Sequence, residues 1–140
     1  EFWKDTGTPQ DIIHANGEII KNISEYFYGT KSSNSKISGK VLSGKNSVIE
    51  DNVTIHGPVI IGENCKINSG VVIGPNTSIG DNSVINRGNI ENSIIMENCE
   101  IDSIVKIRDS IISKNSKIIQ SDNSTDEKIF LLGEGTKIYL

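Results

Sequence analysis

Two histidines and two cysteines are the side chains in this 140-residue chain best suited to proton transfer, nucleophilic attack or soft-metal binding. His56 directly follows an isoleucine of a regular apolar column, so it should stand at the surface beside the core. An imidazole there could serve as a general base toward a hydroxyl or amine, and the same position suits an ordinary turn residue. His14 lies in a stretch of helical spacing and reads as a helix-surface residue or a packing contact. Cys65 and Cys99 stand 34 residues apart, without the close spacing of metal ligands. Both fall where small inward residues recur, which makes them buried packing residues. The pairs Ile61-Gly62, Ile73-Gly74 and Ile79-Gly80 lie at turns of a repeat, and no Gly-rich strand-to-helix phosphate loop accompanies them.

The composition says what must position these groups. Charged residues make up 23% and the formal net charge is −4, which points to neither nucleic acid nor an anionic membrane as partner. Apolar runs such as Val71-Val72-Ile73 and Ile129-Phe130-Leu131-Leu132 are too short to cross a bilayer. The first residues lack a basic segment before an apolar stretch, so no signal peptide is expected. With two cysteines a disulfide framework is not expected, and the default setting is reducing and cytoplasmic. Ile, Ser, Asn and Gly are abundant while Leu and Ala are scarce, a bias toward strands and tight turns with positive φ.

A six-residue repeat organises the chain. Ile37, Ser43, Ile49, Ile55, Ile61, Ile67, Ile73, Ile79 and Ile85 form one column, eight of nine being Ile. Two residues earlier stand Ser35, Val41, Ser47, Val53, Val59, Cys65, Val71, Thr77 and Ser83, all small or β-branched. Residues two apart on a strand share a face, so both columns point inward. Three residues after each Ile-column position stand Lys40, Asn46, Asn52, Pro58, Asn64, Gly70, Asn76, Asn82 and Gly88, seven of nine being Asn or Gly. These are corners, because Asn and Gly tolerate left-handed backbone best. Three such sides make an eighteen-residue triangular coil. The column continues as Ile90, Ile95, Ile101, Ile107, Ile112 and Ile118, with inward partners Gly88, Ser93, Cys99, Val105, Ser110 and Ser116. Three of these steps are five residues long, which predicts tightened corners. The polar stretch Gln120 to Lys128 is expected to loop outward, and the repeat to resume at Phe130/Leu132-Gly133 and Thr136/Ile138. That makes seventeen repeats, nearly six coils, stacked to about 25–30 Å at roughly 4.8 Å per strand.

Before the repeat lies a helix. Thr8 is a fitting N-cap, Pro9 suits the first turn, and Asp11 completes a capping box. Ile12, Ile13, Ala15, Ile19, Ile20 and Ile23 recur at helical spacing, which predicts a helix from Pro9 to Tyr26 with Gly17 as its weak point. Its apolar stripe must be buried, against the end of the coil stack or against a domain upstream.

The segment Phe2-Trp-Lys-Asp-Thr-Gly-Thr-Pro-Gln-Asp-Ile-Ile-His-Ala-Asn16 resembles the last motif of sugar-1-phosphate nucleotidylyltransferase domains. Gly57-Pro-Val-Ile-Ile-Gly62, Ile73-Gly-Pro-Asn-Thr-Ser-Ile-Gly-Asp81, Asn92-Ser-Ile-Ile95 and Lys128-Ile-Phe-Leu-Leu-Gly-Glu-Gly-Thr-Lys-Ile138 are similar to the C-terminal part of long-form glucose-1-phosphate thymidylyltransferases. The resemblance implies a mainly β fold: a single-stranded left-handed parallel β-helix of hexapeptide repeats over 34–140. Residues 1–33 would be the end of a nucleotidylyltransferase domain plus a linker helix. It implies transfer of a nucleotidyl group from a nucleoside triphosphate to a sugar 1-phosphate in the parent enzyme, with Mg²⁺ as cofactor. Asp5 then matches a Mg²⁺-binding carboxylate and Trp3 lies beside the sugar site. The Gly-rich nucleotide-binding start, the first metal carboxylate and the catalytic Arg and Lys of the family have no match in the chain. The chain alone is therefore expected to be inactive, and to serve as an assembly or regulatory domain. A flat, Ile-rich side is expected to self-associate, and the helix from Pro9 and the final strand near Ile138 to close the ends of the stack; the resemblance points to a homotrimer. The competing reading is a hexapeptide-repeat acyltransferase domain using acetyl-CoA on an amino sugar phosphate, with His56 as base. A carbonic-anhydrase-like β-helix needs several His ligands for zinc, and two His do not supply them.

Overall fold

The computed structural model describes residues 8–120, 131, 132, 135 and 137–139. Numbered in chain order, its strands stack into three parallel ladders. The first holds β1 (Thr30–Lys31), β4 (Val48–Ile49), β7 (Lys66–Ile67), β10 (Val84–Glu91), β12 (Glu100–Arg108), β14 (Lys117–Ile119) and β16 (Lys137–Tyr139). The second holds β2 (Lys36–Ser38), β5 (Thr54–His56), β8 (Val72–Ile73) and the later halves of β10 and β12. The third holds β3 (Val41–Ser43), β6 (Val59–Ile61), β9 (Thr77–Ile79), β11 (Ile94–Ile95), β13 (Ile111–Ile112) and β15 (Leu131–Leu132). Lys36 pairs with Thr54 and Thr54 with Val72, one coil apart. This is a parallel β-helix. Its hand rests on the resemblance alone.

The two inward columns form the core. Every Ile of the first column from Ile49 to Ile118 is buried, with at most 2% exposure. Ile37, in the first coil, is half-buried. The small inward residues are often Ser or Thr, and each hydroxyl is bonded to backbone. Ser47 Oγ donates to Gly62 O (2.6 Å) and accepts from Cys65 N (2.9 Å). Ser83 Oγ donates to Met96 O (3.2 Å) and accepts from Cys99 N (3.1 Å). Among the described residues no buried side-chain nitrogen or oxygen lacks a partner, as a dry core requires.

Corners fall largely where Asn recurs. Asn46, Asn52, Asn64, Asn76 and Asn82 all have positive φ, between 57° and 65°, and Gly70 has 87°. Asn92, Asn98, Asp109 and Asn115 continue the series beyond the register slip. Three corners differ from expectation. Gly39 rather than Lys40 takes the left-handed conformation (φ 73°), and Pro58 follows a cis peptide. Gly88 makes no left-handed corner, because β10 runs continuously from the first ladder into the second, with register shifts on either side of Arg87. A Cβ on Gly88 would lie 2.8 Å from Ile85 Cγ2, so the shortened step needs the missing side chain. The corners are tied along the stack by amides: Asn76 Nδ2 donates to Asn92 Oδ1 (2.5 Å), and Asn92 Nδ2 to Asp109 Oδ1 (2.6 Å).

The helix α1 spans Pro9–Asn22, capped by Thr8 Oγ1 accepting from Asp11 N (3.1 Å). It ends four residues before Tyr26, because Ile23 turns extended (φ −79°, ψ 137°). It lies along the third ladder against β6 and β9, not across the end of the stack. Ile13, Gly17 and Ile20 form the buried face. Gly17 is a contact point rather than a weak point, since a Cβ there would lie 1.7 Å from Asn76 Oδ1. Asn16 Nδ2 donates to Ser78 Oγ (2.7 Å) and Lys40 Nζ to the Lys21 carbonyl (2.8 Å). The first coil is covered instead by Phe27, which bridges to Ser43 and carries Lys31 Nζ 4.6 Å over its ring.

Gln120 is also corrected. It does not loop outward: it is 2% exposed, and its Oε1 accepts from Ser103 Oγ (2.8 Å), Ile104 N (2.7 Å) and Val105 N (3.1 Å). Residues 121–130, which the sequence assigns mostly to a loop, lie outside the described residues.

Candidate functional site

Parallel pairing of β2 with β5 sets Ser38 beside His56. Ser38 Oγ and His56 Nδ1 share a hydrogen bond of 2.5 Å, and both residues are exposed on the edge of the second ladder. The structure here joins a sequence-predicted site residue to a potential nucleophile. A base of this kind needs a group that fixes its ring and a site that holds the acceptor. The next position down the stack is Gly74, which has no side chain, and below it Glu91 is ion-paired with Lys106 (2.8 Å). Lys40, nearby in sequence, is committed to the helix carbonyl. The pair therefore has a partner for one imidazole nitrogen, and among the described residues no carboxylate stacks directly on it.

The remaining candidates separate. His14 is exposed on α1 and lines a shallow groove with Ala15 and Ile19. Cys65 and Cys99 are free and buried, and the layer between them carries Ser83. Each thiol donates to a carbonyl, Cys65 Sγ to Gly80 O (3.1 Å) and Cys99 Sγ to Ser113 O (3.2 Å). Burial pushes both thiols above their ordinary pKa, which keeps them protonated and poor nucleophiles. Among the described residues no group of three or more His, Cys, Asp or Glu could hold a metal. Trp3 and Asp5 lie outside the described residues, so the sugar and Mg²⁺ assignments remain with the sequence resemblance.

A polar cluster that sequence reasoning missed sits where the chain leaves β14. Arg87 Nε meets Asp102 Oδ1 (2.5 Å), and Arg87 Nη2 donates to the Gln120 carbonyl (2.6 Å). Three coils meet there, and the side chains fasten the backbone. No pattern in the sequence brings residues 87, 102 and 120 together, because the register slip that aligns them is invisible in a regular repeat.

Residues 55–139 match the sequence model of the GMPPB C-terminal domain, more than half of the chain. The chain belongs to the GMPPB C-terminal domain family. Among relatives, the low-salt glycan biosynthesis nucleotidyltransferase Agl11 of Haloferax volcanii is 34% identical over 99% of this chain and 39% of its own length. The glucose-1-phosphate thymidylyltransferase of Streptomyces antibioticus is 31% identical over 98% of this chain and 38% of its own. The bifunctional protein GlmU of Methanococcus aeolicus is 44% identical over 84% of this chain and 25% of its own. The match spans the β-helix from β5 onward, and the resemblance to sugar-1-phosphate nucleotidylyltransferases holds. The chain spans less than two fifths of the length of these relatives. No helix among the described residues is long and apolar enough to cross a membrane.

Proposed function

We propose that this chain is the C-terminal assembly and regulatory domain of a sugar-1-phosphate nucleotidylyltransferase, of the glucose-1-phosphate thymidylyltransferase type that makes dTDP-glucose. The observation that carries the reading is alignment with two nucleotidyltransferases over 98–99% of the chain, well beyond the β-helix and into the N-terminal segment. In the parent enzyme Asp5 would contribute to holding Mg²⁺, which neutralises charge on the reacting phosphates. The sugar 1-phosphate and the triphosphate are drawn from a cytoplasmic pool. The catalytic groups belong to another part of the parent. The runner-up, acetyl-CoA-dependent acylation of an amino sugar phosphate, is favoured by the GlmU likeness and by the Ser38–His56 pair. It lacks a group that would orient the imidazole from its other side.

The test is a pyrophosphate-release assay on the purified chain with dTTP, UTP or GTP, glucose 1-phosphate and Mg²⁺. No release above the blank is expected, while the full-length gene product turns over. Turnover by the chain alone would overturn the assignment. Coenzyme A release from acetyl-CoA and glucosamine 1-phosphate, abolished by His56→Ala, would put the acyltransferase reading in first place.

Assembly is part of the proposal. The first two ladders carry Lys66, Glu100 and Lys117, or Lys36 and Lys106, on their outer sides. Beyond β6 and β9, which α1 covers, the third presents half-buried Ile94 and Ile111 outward. An apolar side of this kind favours a closed homotrimer. Sedimentation equilibrium at micromolar concentration should give three times 15.3 kDa. A monomer would end the idea of self-association, and a dimer would remove the threefold claim.

A further inference from the structure

The first two ladders are joined by corners of different width. β7 passes to β8 through Ser69 and a left-handed Gly70, a step of six residues from Ile67 to Ile73. One coil on, β10 makes the same passage in five residues, from Ile85 to Ile90, with no left-handed corner. Where the wide corner gives way to the narrow one, an open cavity of about 280 Å³ remains. Gly70 and Gly88 put no side chain into it, and a Cβ on Gly70 would meet nothing within 4 Å. Val72 and Ile104 give it aliphatic surface, while Arg87 and Asn89 give it polar groups.

Those polar groups differ in what they leave unused. Arg87 directs Nε to Asp102 Oδ1 (2.5 Å) and Nη2 to the Gln120 carbonyl (2.6 Å), so Nη1 remains and the charge is balanced. Asn89 stacks between Val72 and Lys106, and Lys106 is itself ion-paired with Glu91. Among the described residues the half-buried Asn89 side chain makes no hydrogen bond, which leaves its amide both donors and an acceptor to offer. A phosphate only accepts and favours uncompensated cations, which this cavity does not present. A nucleobase favours an aromatic platform, and no aromatic residue lines the cavity. A hydroxyl both donates and accepts. We infer that the cavity between the two corners binds a neutral polyhydroxylated ring of monosaccharide size. Neighbouring hydroxyls meet the Asn89 amide and Arg87 Nη1, and the C–H surface of the ring rests on Val72 and Ile104. The small volume suits a single ring. The site shares no residue with the Ser38–His56 pair and does not depend on nucleotidyl transfer by the parent.

The test titrates the isotope-labelled 140-residue chain with glucose, mannose and myo-inositol and follows the backbone amides by NMR. Saturable shifts centred on Gly70, Gly88 and Asn89 are expected with at least one of the three, and none at Gly44 after β3. Asn89→Leu removes an amide that holds nothing else in the fold, and should weaken binding about tenfold, the worth of one good hydrogen bond. Gly70→Asn copies Asn52, which makes the left-handed corner one coil earlier, and sets a side chain into the cavity. Saturation should then disappear with the thermal midpoint little changed. Absence of saturable shifts with all three compounds would overturn the inference. Binding that Asn89→Leu leaves unaltered would overturn it too, by placing the ligand elsewhere. Shifts with inorganic phosphate or thymidine and not with the ring polyols would make this an anion or base site instead. Shifts of the same amides that grow with protein concentration in ligand-free buffer would give the cavity to a second copy.

Discussion

Ile73→Asn is expected to destabilise the domain by about 3–5 kcal/mol, read as a lower urea midpoint with unchanged slope. Ile73 is fully buried on β8, stacked between Ile55 and Ile90. The substitution loses packing in a close-packed interior and buries an amide that has no partner there. The corner residues make the contrast. Asn46 is exposed with φ 65°, so Asn46→Gly should change stability by less than about 0.5 kcal/mol. Asn76 has similar backbone geometry but also donates to Asn92 and touches Gly17 of the helix. Asn76→Gly should therefore cost about 1 kcal/mol. Equal midpoints for the three variants would contradict the inward and outward register.

Gln120→Ala should cost about 2–3 kcal/mol, although the residue looks like the first of a polar loop. Its Oε1 is the acceptor for the buried Ser103 hydroxyl and for the Ile104 and Val105 amides. Val105 N keeps a bond to Ser103 Oγ (3.0 Å) after the change, and the Ile104 amide loses its side-chain acceptor. Native-state hydrogen exchange checks this at one site: the Ile104 amide should exchange at least tenfold faster relative to the Ile101 amide. An unchanged ratio would mean that Gln120 does not hold β12.

The β-helix was legible because each layer repeats one demand. Ile73 recurs as Ile55 and Ile90 at neighbouring coils, and Asn76 as Asn64 and Asn82 along the repeat, so the columns reveal inside, outside and corner without any knowledge of long-range contacts. What broke the repeat was hidden for the same reason. Gly88 reads as one more corner, while in the fold it is the small residue that lets β10 pass from one side to the next. Gln120 reads as loop because a polar residue beside a polar run carries no sign of a buried amide pocket. The end of α1 and its docking on the side of the stack depend on Gly17 meeting Asn76, a contact between a helix and a corner that periodicity does not encode. At the candidate site, His56 was visible as a residue type. Its partner Ser38 was not singled out, although the eighteen-residue coil predicts that the two lie side by side.

The pairing of each strand with the strand one coil away has a consequence for how such a chain can change in length. Layers contact their neighbours above and below, so cohesion is passed from one to the next as along a row of identical links. Loss or gain of a whole coil rejoins like to like: Val53 and Val71 precede equivalent strands, which Thr54 and Val72 open. A single-residue change within a strand turns every following side chain over, Ile outward and Lys inward. It is absorbed where the chain passes from one side to the next, as the irregular stretch from Ile85 to Ile90 already does. Lineages bearing this architecture are thus free to vary in height by whole storeys, while the width of each storey stays nearly constant.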